Sequence, residues 1–301
     1  MDQGLTSVDI AVIGHFAKDK IVVRGKERVS SGGSVYYGAI ALRRMGLKVA
    51  VITRLKQDDF GLLDGLKDEG ILVFAQPAEQ TSGIENTYST EDMDRRLCKP
   101  LGFAGPFRIE DLPDIQAKTF LVGPIMAGEV DIPLLRTLSS RGTVALDAQG
   151  FVRVREGEDL VFRDWPQKRE GLALVDVLKV DTAEAEVLTG QTEASISAVR
   201  QALRELASYG PSEIMLTRSQ EVLVYAGGEY HQAPFNPREV RGRTGRGDTC
   251  FAGYLGRRLS ADPEEGCRFA AAMASLKLEQ SGPFRGSIED VERFRGMWCE
   301  A

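Results

Sequence analysis

The chain has 301 residues, 43% hydrophobic and 27% charged, with a formal net charge of −6. That length and balance suit one large α/β unit or two small ones. The acidic balance argues against a nucleic-acid partner, which needs a basic face, and no apolar run approaches the roughly 18 residues required to cross a bilayer.

Val8 to Ile13 reads as a short apolar strand ending at Gly14. His15 to Asp19, Ile21 to Val23 and a polar stretch from Arg24 to Ser31 follow. Gly32 and Gly33 open a helix expected from about Ser34 to Met45, closed by Gly46. Val49 to Thr53 is a second strand, Asp58 to Glu69 an expected helix, and Ile71 to Phe74 a third strand. This βαβα alternation implies a mostly parallel sheet with helices on both faces.

Thr87 to Leu101 breaks the rhythm and reads as a hairpin with a polar turn, a small flap rather than core. The alternation resumes with strands at Thr119–Val122, Thr143–Leu146, Val177–Val180 and Ile214–Leu216. Helices are expected over Ile132–Ser140, Ala183–Leu188 and Ala194–Ser208. Val222–Tyr225 and Tyr230–Ala233 form a hairpin across Gly227-Gly228, and Pro263–Gln280 and Ser287–Arg295 are closing helices. No internal repeat or long linker interrupts the chain, so residues 1–301 read as one principal domain.

Polar residues fall at the strand ends. Asp147, Asp181 and Thr217 each end a buried-looking strand, and Glu184 lies just past one. Each alone serves equally well as a helix cap or turn former. Together they mark the edge where open parallel sheets bind ligands.

The stretch Arg241 to Leu255 concentrates the chemistry. Gly242, Gly245 and Gly247 make a loop, Asp248 follows, and Cys250, Phe251, Tyr254, Leu255 and Leu259 recur at helical spacing. Glycines let backbone N–H groups approach a ligand, and a helix N-terminus attracts anions. An acid at the mouth of such a site repels phosphate unless it has a task, and taking a proton from an attacking hydroxyl is one. The bland alternative is an N-cap after a turn. Arg246-Gly247-Asp248 also spells an adhesion motif, but nothing else in the chain looks extracellular.

The four cysteines, Cys98, Cys250, Cys267 and Cys299, form no Cys-x-x-Cys pair, and His15 and His231 are the only histidines. A zinc site is therefore not expected, and free thiols in a reducing cytoplasm are the simplest account. Met1 to Ser7 lacks a basic region and an apolar stretch, so no signal peptide is expected.

From Val8 to about Phe294 the chain resembles the ribokinase-like (PfkB-type) small-molecule kinases. Thr244-Gly245-Arg246-Gly247-Asp248 is similar to that family's C-terminal signature, and Gly32-Gly33 with the helix closed by Gly46 to its N-terminal one. Asp58-Asp59-Phe60-Gly61, Asp181-Thr182-Ala183-Glu184 and Thr217-Arg218-Ser219 fall on further family segments. The resemblance implies a three-layer αβα fold with a mostly parallel central sheet and a small β lid, formed by segments of about 15–31 and 86–101. It implies ATP and Mg²⁺ as cofactors and phosphoryl transfer to a substrate hydroxyl.

On that basis Asp248 is the expected base, with Gly245, Arg246 and Gly247 forming the anion hole. Thr217, Ser219, Thr244, Gly245 and Gly247 are expected at the ATP phosphates. Ser275 and Gly282 are expected at adenine, Glu184 and Asp181 at Mg²⁺. Asp19, Gly33, Tyr37, Arg95 and Gln149 are the expected substrate contacts. Departures from the pattern are Gly242-Arg243 leading the loop, Arg246 for a small residue, Tyr37 for asparagine, Asp181 for asparagine and Ser219 for glycine. Gly33 to Tyr37, Asp147 to Phe151 with Arg153, and Arg95-Arg96 resemble the inositol-kinase branch, so a cyclic polyol is the first substrate expected. A nucleoside or sugar kinase of this fold and a non-catalytic ATP- or polyol-binding regulator are the alternatives. A dinucleotide-binding oxidoreductase is discounted, because the first strand runs into Gly14-His15-Phe16-Ala17-Lys18-Asp19 rather than a Gly-x-Gly-x-x-Gly turn. The expected oligomeric state is a monomer or homodimer.

Overall fold

A computed structural model describes residues 6–23, 25–88, 97–192 and 195–299. Its first strand, β1 (Thr6–Ile13), explains the central layer. Ile10 and Val12 pack into one core cluster, Ala11 and Ile13 into another, and all four are fully buried. A strand alternates its side chains between faces. A continuous apolar run therefore needs cover on both sides, as in parallel α/β sheets.

The chain continues through β2 (Ala17–Val23), β3 (Lys26–Gly32), α1 (Ser34–Arg44), β4 (Val49–Lys56), α2 (Asp64–Asp68), β5 (Leu72–Ala78), β6 (Gly83–Tyr88) and β7 (Leu97–Gly102). Next come β8 (Ile115–Val122), α3 (Ile132–Ser139), β9 (Thr143–Asp147), α4 (Gln149–Val152), β10 (Arg153–Glu156), β11 (Asp159–Phe162), α5 (Lys168–Leu172), β12 (Val177–Asp181), α6 (Thr182–Thr189) and α7 (Ile196–Ala207). It closes with β13 (Glu213–Thr217), β14 (Glu221–Ala226), β15 (Glu229–Pro234), α8 (Arg246–Arg258), α9 (Pro263–Leu278) and α10 (Ile288–Cys299).

The large sheet has nine strands in the order β15-β14-β13-β12-β9-β8-β1-β4-β5. All its neighbours are parallel except the β13-β14-β15 meander at one edge. Helices α1, α8, α9 and α10 cover one face. Helices α3, α5, α6 and α7 cover the other. This is the three-layer, ribokinase-like arrangement. A separate four-stranded sheet, in the order β3-β2-β6-β7, stands over one edge, mostly antiparallel but with β2 and β6 parallel. Its strands lie within 17–32, close to the expected 15–31, and at 83–88 and 97–102, where the second segment begins three residues before the expected 86.

Three local expectations change. Residues 57–63 form a 3₁₀ turn before the short α2, not one long helix. Gly61 and Gly65 weaken helix here, and Asp59 is drawn away to Lys18 (2.7 Å) and the Thr81 hydroxyl (2.6 Å). Strand β5 extends to Ala78 through Pro77, which an edge strand tolerates. The β10–β11 hairpin was not expected at all. Its Leu160 packs with the small cluster of Ala17, Ile84, Ile125 and Met126 under the lid sheet. No helix among the described residues is long and apolar enough to cross a membrane.

Candidate active site

The carboxyl ends of β8, β9, β12 and β13 meet the N-termini of α1 and α8 around a cavity of about 350 Å³. Backbones approach closely there. A Cβ on Gly123 would lie 2.4 Å from Ser34, and one on Gly33, whose φ is 84°, would lie 2.8 Å from the His15 carbonyl.

The lid end of the cavity is lined by Asp19, Asn86, Gln149 and Arg153. Asp19 is held by β2 and accepts a hydrogen bond from the Ile84 amide at 2.8 Å. Gln149 opens α4 and donates through Nε2 to the Ile125 carbonyl at 3.3 Å. Arg153 opens the unforeseen hairpin, is only 8% exposed, and rests over the Phe162 ring. Among the described residues no carboxylate pairs with it. Arg95 lies outside the described residues.

Asp248 stands in the middle. It is the third residue of α8, and Ser34 Oγ donates to its Oδ1 at 2.5 Å. Burial and the charge of Asp147 push its carboxyl above the usual range, while the Ser34 hydrogen bond and Lys179 act the other way. Gly245 caps α8 with φ 81°, a left-handed conformation that suits glycine. A Cβ there would lie 2.2 Å from the Tyr37 ring. Tyr37 is 2% exposed. It therefore forms the wall behind the loop as well as an edge of the cavity. Burial pushes its hydroxyl up to about 12.

At the far end, Asp147, Lys179, Asp181, Thr217, Arg243, Thr244, Arg246 and Gly247 complete the lining. Lys179 carries a signal that the sequence reading missed. It is the one charged residue inside the apolar strand Val177-Leu178-Lys179-Val180. Strand register sets it opposite Asp147, with Nζ 3.0 Å from Oδ2 and 3.5 Å from Glu184 Oε2. Burial penalises its charge, but the fields of Asp147, Glu184 and Asp181 outweigh that and raise its pKa. Ser34, Asn86 and Lys277 were also missed. A buried hydroxyl, amide or amine on an amphipathic element gives no local sign of what it will meet.

Several expected contacts sit elsewhere. Glu184 is fully buried and does not line the cavity. Its Oε2 accepts from the Asp181 amide at 2.7 Å, in a capping box with Asp181, and its Oε1 is buried with no hydrogen-bond partner among the described residues. Among the described residues, no group of three His, Cys, Asp or Glu side chains could hold a metal ion. Asp181 alone of the expected pair reaches the cavity. These residues fit a magnesium ion held chiefly by phosphate oxygens and its own waters, its usual preference, with Asp181 as an outer contact.

Ser275 is fully buried, its hydroxyl engaged with the Asn236 amide and the Ala271 carbonyl. Neither Ser275 nor Gly282 lines the cavity. Ser219 is outside it too, and its carbonyl accepts from Arg246 Nη1 at 2.9 Å. The same guanidinium lies over Phe235, 5.3 Å from the ring centre. Arg246 thus crosses from the glycine loop to the Ser219 turn after β13 and to Phe235 after β15.

The profile of the pfkB carbohydrate kinase family matches residues 4–290. No curated protein matches the chain. The solved structure of a pyrophosphate-dependent kinase in the ribokinase family, complexed with a pyrophosphate analogue and myo-inositol, is 36% identical. That match covers 94% of this chain and 99% of the other, with TM-score 0.85. A sulfate complex of a pyrophosphate-dependent kinase in the same family is 37% identical over 94% and 99% of the two chains, with TM-score 0.86. Arabidopsis thaliana ribokinase, complexed with ribose and ATP, shares the fold at 20% identity over 96% and 99% of the two chains, with TM-score 0.78.

Proposed function

The chain belongs to the pfkB family of carbohydrate kinases, phosphotransferases acting on a hydroxyl, and from that premise we propose that it transfers a phosphoryl group from pyrophosphate to a cyclic polyol, myo-inositol first. The observation that carries this reading is the division of the cavity by Asp248. On one side stand neutral and charged hydrogen-bonding groups, Asp19, Asn86, Gln149 and Arg153. On the other stand cations and backbone donors, Lys179, Arg243, Arg246 and the Gly245–Asp248 amides.

A polyol presents a ring of hydroxyls, each both donor and acceptor. Asp19 accepts, Arg153 donates, and the amides of Asn86 and Gln149 do both. The other side sets three cations, Lys179, Arg243 and Arg246, beside two carboxylates, Asp147 and Asp181. Arg246 ties the glycine loop to the Ser219 carbonyl, and the two residues expected at adenine are outside the cavity. These features favour pyrophosphate over ATP, in keeping with the donor named for the two pyrophosphate-dependent relatives.

In the proposed reaction Asp248 accepts the proton of the acceptor hydroxyl. Its raised pKa brings it nearer to the alcohol it must deprotonate, which favours a base working near neutral pH. The alkoxide oxygen bonds to the near phosphorus as the bridging P–O bond breaks, and inorganic phosphate leaves. Backbone amides at the α8 N-terminus stabilise charge on the transferring group. Ser34 orients the Asp248 carboxylate. A bound magnesium ion, with Asp181 as outer contact, would neutralise donor charge. Lid strands β2, β3, β6 and β7 exclude water from the acceptor end.

The test is phosphorus NMR of the purified protein with myo-inositol and either pyrophosphate or ATP. Inositol phosphate and inorganic phosphate from pyrophosphate are expected. Turnover with ATP alone refutes the donor assignment. Turnover with ribose, fructose or a nucleoside but not inositol refutes the acceptor.

A further inference from the structure

Lys277 is a fully buried cation that the reaction above does not use. It lies near the end of α9 among apolar neighbours, and no carboxylate pairs with it among the described residues. Its partners are neutral. Nζ donates to the Gly242 carbonyl at 2.9 Å and faces the Gln280 carbonyl at 3.5 Å. It also lies over the face of Tyr37, 5.7 Å from the ring centre. The other face of the arrangement is the loop itself, since Tyr37 packs against Gly245.

Two further bonds act in the same direction. The amides of Arg241 and Gly242 both donate to the Leu278 carbonyl, at 2.8 and 3.1 Å. The start of the glycine loop is therefore stapled to the end of α9, with an ammonium group at the junction. Burial pushes Lys277 down to about 8, and the Asp248 carboxylate opposes this.

Burying an ammonium costs several kcal/mol unless it is well satisfied. An apolar side chain of this length would fill the space at less cost, so packing alone does not account for a lysine. Main-chain carbonyls and an aromatic face are ligands that a free potassium or ammonium ion also takes. We propose that Lys277 is a built-in monovalent cation that holds the Gly242–Asp248 loop in its phosphate-accepting conformation, so that the enzyme needs no dissociable one. It is a positioning residue, acting through Gly242 and Tyr37. The proposal rests on the reading that this loop receives the donor phosphates.

The experiment compares Lys277→Met, Lys277→Ala and Asp248→Asn, with pyrophosphate and myo-inositol as substrates. Circular dichroism and cooperative melting establish folding. Displacing such a loop costs about 10- to 100-fold in rate, so Lys277→Met is expected to lose that much kcat/KM for pyrophosphate while KM for inositol stays unchanged. Ammonium or potassium ions should restore part of the loss in Lys277→Ala, and tetramethylammonium should not. Wild-type kcat/KM for pyrophosphate retained in Lys277→Met overturns the proposal, as does a loss in Lys277→Ala that no small cation recovers.

If neither variant folds, the wild-type enzyme decides. Exchanging all potassium, sodium and ammonium for tetramethylammonium should leave its rate unchanged, and a requirement for potassium overturns the proposal. Asp248→Asn separates the two layers of argument. If it keeps turnover, the loop reading itself fails. If it is inactive while Lys277→Met is not, only the role of Lys277 fails.

Discussion

Lys179 and Asp147 face each other in register across adjacent parallel strands, Nζ 3.0 Å from Oδ2, with Glu184 3.5 Å away on the other side. One buried ammonium balances two carboxylates at the strand-end side of the cavity. Removing one partner of a buried pair costs about 3–5 kcal/mol, because the other charge is left behind. Lys179→Met should lose about that much stability at neutral pH. Burial already holds the Glu184 carboxyl above the ordinary range and Lys179 draws it down, so without the lysine its folded-state pKa rises further above the unfolded one. The folded state then holds the extra protons, so the deficit against wild type should grow as pH rises and shrink as it falls. Melting curves at acid and neutral pH check the sign.

Asp248→Asn should keep the fold and lose about two to four orders of magnitude in kcat, the usual cost of removing a general base. Ser34→Ala is the subtler test. The hydroxyl lowers the pKa of Asp248, and without it the base needs higher pH to ionise. The acid limb of the kcat/KM profile should move to higher pH, and a limb that stays put argues that Ser34 does not govern Asp248.

The alkaline limb should report Lys277. In the free enzyme its ammonium deprotonates at about 8, held up by Asp248 and lowered by burial. Tyr37, pushed up to about 12, stays neutral across this range. The kcat/KM for pyrophosphate should therefore fall as pH rises through about 8. The kcat limb should lie higher, because bound phosphate favours the proton. Stability should move oppositely. The folded pKa of about 8 lies below the ordinary 10.5, so the unfolded chain holds more protons between these values. This group therefore makes the fold more stable as pH rises across that window. Rate and stability profiles on one sample check both signs.

Arg246→Ala removes the side chain that bridges the glycine loop to Ser219 and Phe235. Loss of its charge should weaken pyrophosphate use. Under the proposed donor assignment, freeing the space between the loop, Ser219 and Phe235 should raise the ratio of kcat/KM for ATP to that for pyrophosphate. A ratio that does not change shows that Arg246 does not set donor choice.

Much of the frame was legible in the chain itself. Apolar runs such as Ile10 to Ile13 demand cover on both faces, and the alternation of strands and helices demands parallel order. Gly245 and Asp248 announce a glycine-capped helix N-terminus through local backbone chemistry, and acids at strand ends mark one edge. These properties depend on periodicity and on glycine conformation, which belong to short stretches.

Only the tertiary structure decided which distant side chains meet. Ser34 reaches Asp248 across 214 positions, and Lys179 meets Asp147 through strand register. Lys277 finds its carbonyl partners where α9 ends against the glycine loop. Glu184 turned inward to cap α6, and Ser275 into the core, where each is held by backbone partners. The sequence by itself determined the layers, the edge and the loop, since local pattern suffices for those. Where each charge stands, and whether it faces the cavity, required the packed structure, because a buried charge is stabilised by neighbours that the chain order does not bring together.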